Sequence, residues 1–162
     1  MEDLHSRLDE CKDLSDVFAV VKKAVEDILG QRRAGLMLGF SDLPMSVAAF
    51  YVVGSNIIVM NEKLYDKVLE ESPDTINTWS FRILLHEYLH SLGYKREIEV
   101  RMLVREIGGS LLERGLVAEI PEYRLHYFPP RSRYMDRERR RLSNLEIKLV
   151  KGFDRSSTRY IA

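Results

Sequence analysis

The sequence predicts a single domain of the α+β class. Its periodicity is helical over residues 2 to 29, β-rich over residues 34 to 60, and helical again from Asn61 to about Arg114. The 162 residues, 45% of them hydrophobic, suffice for one buried core and leave no room for a second full domain. Helical structure in residues 34 to 60 would break the assignment. Cys11 is the one cysteine, which excludes an internal disulfide framework and fits a reducing cytoplasm. No run of about 18 apolar residues is present to span a membrane, and Glu2 and Asp3 do not open a signal peptide. A soluble, cytoplasmic protein is expected.

Residues 2 to 29 read as one or two helices. Leu4, Leu8 and Cys11 recur at helical spacing, and Ser15 is placed to cap a second helix whose apolar stripe runs from Val17 to Ile28 and ends at Gly30. A lone cysteine on an apolar helix side is far more often a small buried hydrophobe than a metal ligand, and Cys11 is read so. Ala34 to Phe40 is a short apolar run, and Val47 to Val53 and Ile57 to Met60 are β-rich runs joined by Gly54-Ser55-Asn56. They predict a strand, a loop and a hairpin. Asn61 can cap a short helix to Glu70, which the stretch Glu71-Ser72-Pro73-Asp74 breaks. Thr75 or Asn77 starts the next helix, and Gly93 ends it by taking a left-handed conformation. A last helix follows to about Arg114, with Val100, Val104, Ile107 and Leu111 as its stripe and Gly115 as its stop.

The chemistry lies in the helix before Gly93, in Ile83-Leu84-Leu85-His86-Glu87-Tyr88-Leu89-His90. On a helix, positions i and i+4 share a face, so His86 and His90 can aim imidazole nitrogens at one point. That point suits zinc, which takes nitrogen ligands at about 2.0 to 2.1 Å and keeps one position for water in catalytic sites. Glu87, rotated by about 100° from His86, borders that point and can take the proton of a metal-bound water. The competing explanation is a pair of satisfied core histidines. Because Trp79, Phe81, Ile83, Leu84, Leu85, Leu89 and Leu92 make this helix apolar on most sides, its two histidines and glutamate need buried partners, which a metal supplies at once.

His86-Glu87-Tyr88-Leu89-His90 with its apolar lead-in resembles the active-site helix of the zincin metallopeptidases, in particular the gluzincins of the small archaeal minigluzincin type. The resemblance covers residues 33 to about 115. It implies a small, mostly antiparallel sheet lying across the active helix, a following glutamate helix, and an edge strand near Phe50 to Val53 that pairs with an extended peptide substrate. β-augmentation is the physical basis for that pairing, and an edge simply covered by the C-terminal segment is the alternative. A metzincin assignment fails, because Arg96 stands where its third histidine belongs.

The third ligand is sought among the glutamates after Gly93. On a helical wheel Glu97 lies nearer the centre of the apolar stripe than Glu99. Glu97 also matches the gluzincin pattern of a ligand glutamate followed three residues on by an apolar residue, here Val100. Glu97 is therefore preferred, Glu99 is next and Glu106 is distant; a solvated salt bridge is the alternative for all three. Two departures from the family stand out: Arg101 falls where many gluzincins carry an acidic or amide residue, and only six residues separate His90 from Glu97.

The expected activity is hydrolysis of peptide bonds in a peptide or protein substrate, with Zn2+ held by His86, His90 and Glu97 and with Glu87 as catalytic base. Tyr51, Tyr88, Tyr94 and His126 are candidates to stabilise the oxyanion. The expected zincin-like domain covers residues 1 to 120, and residues 121 to 162 form a basic tail with eleven Lys plus Arg against five Asp plus Glu, which leaves the rest of the chain at −6. Arg131 to Arg141 and the aromatics Tyr123, Tyr127, Phe128 and Tyr134 resemble a nucleic-acid contact in composition. Asp136, Glu138 and the zero net charge favour instead a tail that docks on the acidic body and restricts the cleft of a latent peptidase. The alternative function is a non-catalytic module on the same fold, acting through its tail on nucleic acid or a protein partner. Such a module has no use for Glu87.

Overall fold

A computed structural model of the chain describes residues 3–113 and 146–154. The N-terminal stretch is two helices, α1 (Leu4–Asp9) and α2 (Leu14–Leu29). Asp13, not Ser15, caps α2: its carboxylate accepts the Asp16 N–H at 2.8 Å. Ser15 lies inside the helix, and its hydroxyl donates to the carbonyls of Gly152 and Phe153 at 3.0 and 2.9 Å. Gly30 ends α2 at φ 66°, as its place after the stripe predicts.

Residues 34 to 60 carry the strands β1 (Met37–Ser41), β2 (Ala49–Tyr51) and β3 (Ile57–Asn61), and a fourth, β4 (Lys148–Val150), comes from the C-terminal side. The sheet order is β2-β3-β1-β4. β2 and β3 form the expected antiparallel hairpin, and β4 runs antiparallel to β1. β1 and β3, however, are parallel, from Met37 opposite Ile57 to Ser41 opposite Asn61, so the sheet is mixed. The cause is the placing of the hairpin: the chain leaving β1 passes over one position to β2 at the edge and returns through β3 beside β1.

One face of the sheet presents Leu38, Ile58 and Met60 to the main core, all at 0% exposure, while Val59, Phe50 and Leu43 form a smaller cluster on the other face. Asn61 closes β3 and caps α3 (Glu62–Glu71) by accepting the Leu64 N–H. A 3-10 turn at Pro73–Thr75 leads into α4 (Ile76–Ser91), the helix of the two histidines. Twelve of its 16 residues are buried, which accounts for its being apolar on most sides. Gly93, at φ 110°, turns the chain into α5 (Glu97–Glu113), whose Val100, Val104 and Ile107 face the core.

Residues 146–154 lie past the expected boundary at residue 120, yet they belong to this sheet and core. Besides β4, Phe153 is 3% exposed and stacks on Phe18 of α2, with ring centres 4.2 Å apart. The buried Asp154 carboxylate accepts from Lys22 Nζ at 2.7 Å and from the N–H groups of Gly35 and Leu36 at 2.9 and 3.3 Å. At Gly39 of β1 a Cβ would run into the Ile147 side chain, so the fit of this segment needs glycine there. The basic run Arg131 to Arg141 lies outside the described residues. No helix among the described residues is long and apolar enough to cross a membrane.

Candidate metal centre

α4 presents His86 and His90 one turn apart, and the turn at Gly93 folds the start of α5 back against them. Glu97, the first residue of α5, thereby reaches both histidines. Its Oε1 lies 2.8 Å from His90 Nε2 and its Oε2 lies 3.1 Å from His86 Nε2, while the two Nε2 atoms are 3.2 Å apart. His90 is oriented from behind by its Nδ1, which meets the Tyr94 carbonyl at 2.8 Å; a neutral imidazole with its proton on Nδ1 would turn the Nε2 lone pair toward the centre. His86 is 7% exposed and Glu87 6%.

The donor set can be tested against zinc. Tetrahedral ligands at 2.0 to 2.1 Å from a metal stand about 3.3 Å from one another. The two Nε2 atoms, 3.2 Å apart, are close to that edge length, and one donor atom from each of His86, His90 and Glu97 lies within 4.8 Å of the other two. Glu97 Oε2, 3.1 Å from His86 Nε2, is buried and makes no well-formed hydrogen bond among the described residues. Two imidazoles and a carboxylate with a donor atom to spare form a set that zinc accepts. Among the described residues no other group of three His, Cys, Asp or Glu side chains converges in this way.

Electrostatics follow from burial and closeness. Burial works to raise the Glu97 pKa, but the adjacent His86 and His90 outweigh it and hold the carboxyl well below the usual carboxylate range. For His90 burial works downward, and the bond to Glu97 with the charges of Glu87 and Glu97 raises it nonetheless. Glu87 is pushed above the usual range by burial, against the pull of His86 and His90. The Tyr51 backbone N–H, on edge strand β2, lies toward its carboxyl and works in the lowering direction.

The structure thus brings together His86, His90 and Glu97, with Glu87 beside them. Glu99 is turned away and pairs with Arg96 at 3.7 Å, and Glu106 is exposed and outside the cluster. Cys11 is also apart from it, its thiol donating to the Arg7 carbonyl. Of the candidates for oxyanion stabilisation, Tyr88 meets the Arg33 backbone and Tyr51 donates its hydroxyl to the Ser55 carbonyl, while Tyr94 serves the centre through its carbonyl. His126 lies outside the described residues. Sequence reasoning passed over Arg33 and the main-chain N–H of Tyr51. Neither has a local signature, because both act through groups distant along the chain. No protein-family model matches this chain, and no curated protein or solved structure matches it.

Proposed function

We propose that the chain is a small zinc metallopeptidase of the zincin kind, acting in the cytoplasm, in which His86, His90 and Glu97 hold the metal and Glu87 is the catalytic base. The observation that carries this reading is the convergence of one donor atom from each of His86, His90 and Glu97 within 4.8 Å of one another, with the buried Glu87 carboxyl next to them. Zinc bound there supplies a Lewis acid that activates water and polarises a carbonyl. Glu87 takes the proton of the attacking water and delivers it to the leaving amine, which asks for a carboxyl held against the centre rather than in solvent. The Tyr51 N–H lies toward that carboxyl. β2, the sheet edge from which that N–H points, is where an extended peptide would add as a further strand.

Latency belongs to the same reading. Residues 114 to 145 connect α5, which carries Glu97, to β4 in the sequence, and their basic run is opposite in charge to the rest of the chain. Excising residues 121 to 145 while sparing 146–154, which the sheet and core require, is expected to raise peptide cleavage. Unchanged or abolished cleavage in a folded excision variant removes the latency idea.

The decisive experiment on the main reading is elemental analysis of untagged protein beside His90→Ala and Glu87→Gln. One zinc per chain in wild type and Glu87→Gln, and none in His90→Ala, is expected, followed by cleavage of a peptide library that Glu87→Gln abolishes. Failure of the wild type to take up zinc refutes the reading and directs attention to salt-dependent nucleic-acid binding by the basic segment.

A further inference from the structure

Arg33, in the connection between α2 and β1, is half-buried and takes no part in the chemistry above. Its Nη1 donates to the Ser91 carbonyl at 2.6 Å and to the Tyr51 hydroxyl at 3.0 Å, and its Nη2 donates to the Ser55 carbonyl at 2.8 Å. The guanidinium also lies over the Tyr51 ring, 5.7 Å from its centre. Ser91 is the last residue of α4, where helix carbonyls lack intrahelical partners and the helix dipole is negative, so a guanidinium is doubly favourable there. Ser55 is in the turn between β2 and β3. One side chain therefore ties the hairpin to the last turn of α4.

The same two elements meet one turn earlier. Glu87 and Ser91 are four residues apart on one face of α4. In the β2–β3 ladder the bonds from Asn61 N–H to the Ala48 carbonyl and from Val52 N–H to the Ile57 carbonyl fix the alternation, so the Tyr51 N–H faces away from β3. It faces Glu87. Tyr51 thus carries both contacts, its ring and hydroxyl with Arg33 and its N–H with Glu87.

We propose that Arg33 is the positioning residue for the general base: its clamp between the β2 edge and the end of α4 sets the spacing that holds Glu87 in place. The inference rests on the role given to Glu87 above. Lysine cannot take over, since an ammonium lacks the planar fork that reaches Ser91, Tyr51 and Ser55 together. A displacement of about 1 Å in such a constellation costs on the order of 100-fold in rate.

The test uses the full-length chain as wild type, Arg33→Ala, Arg33→Lys and Tyr51→Phe, the last of which keeps the backbone N–H and loses one arm of the clamp. Amide exchange at Tyr51 and Phe50 is measured by NMR, with zinc content and, on a peptide substrate, kcat and KM. In Arg33→Ala the Tyr51 amide is expected to exchange at least about tenfold faster, with the Phe50 amide, inside the ladder, unchanged and zinc still at one per chain. kcat is expected to fall by about 10- to 100-fold with KM within about twofold, Arg33→Lys recovering only a part and Tyr51→Phe falling between. Unchanged Tyr51 exchange overturns the proposal, as does loss of zinc together with the clamp. Should Arg33→Ala not fold, Arg33→Lys and Tyr51→Phe decide by the same readout. Wild type without zinc or cleavage would count against the peptidase reading, while the exchange data still decide whether Arg33 holds Tyr51 to Glu87.

Discussion

Truncating Phe153 to alanine tests whether the segment past residue 145 is part of the fold. Phe153 is 3% exposed, and its ring stacks on Phe18 at 4.2 Å and 16°. Phe18 in turn meets Tyr88 of α4 edge-on at 5.5 Å. Removing a buried phenylalanine costs about 3 to 5 kcal/mol, from lost transfer free energy and the cavity left behind. Against a domain stability of about 5 to 15 kcal/mol that loss is large. At about 2 to 4 °C per kcal/mol for a chain of this size, Tm should fall by about 6 to 20 °C. Urea unfolding followed by far-UV circular dichroism measures it, with the slope unchanged if only stability has moved. In a double-mutant cycle with Phe18→Ala the two losses should fall short of additivity by about 0.5 to 1.5 kcal/mol, the worth of the stacked pair. A loss below about 1 kcal/mol, within the range of ordinary surface substitutions, would refute the reasoning, because it would mean that residues 146–154 do not pack into the core.

Glu97→Gln is expected to weaken zinc binding by at least about 10-fold, whereas Glu99→Gln, removing only the exposed pair with Arg96, should leave it unchanged; a chelator competition titration distinguishes them. In metal-free protein, the Glu97 pKa lies below its usual 4.5 and the His90 pKa above its usual 6.5. The lowered Glu97 therefore contributes stability above about pH 4.5, lost as pH falls through its folded value, and the raised His90 contributes stability below about pH 6.5, lost as pH rises through its folded value. The metal-free protein should thus gain most from this cluster between those values, while zinc affinity should rise as pH climbs above about 6.5 and the His90 proton leaves, where the cluster's own contribution to stability falls; parallel trends in melting and in zinc titrations there would contradict this. Gly93→Ala places a side chain at φ 110° and should cost about 1 to 3 kcal/mol in thermal unfolding, together with weaker zinc binding, since the turn that brings Glu97 to His90 starts there. Ser80→Ala should be neutral or stabilising by up to about 1 kcal/mol, because the Ser80 hydroxyl is buried with no hydrogen-bond partner among the described residues.

What the sequence by itself determined is what depends on near neighbours along the chain. The stripe ending at Gly30, the Asn61 cap, the stop at Gly93 and the sharing of one face by His86 and His90 all follow from helical pitch and end chemistry. β-rich composition and the turn residues Gly54-Ser55-Asn56 marked the β2–β3 hairpin in the same way. Only the tertiary structure decided the rest. Glu97 and Glu99 both flank the apolar stripe of α5, on opposite sides, and the packing of α5 across the Gly93 turn brings Glu97 to the histidines and leaves Glu99 to Arg96. The capping role expected of Ser15 went to Asp13, and Ser15 was drawn instead to a segment 137 residues away. β1 took β3 as a parallel neighbour, and β4 is too short for alternation to announce it. Arg33 reaches Ser55 and Ser91, 22 and 58 residues along the chain, and no local pattern encodes that meeting. Periodicity reports which way a side chain leaves its own element; which element it then meets is set by how the buried faces pack together.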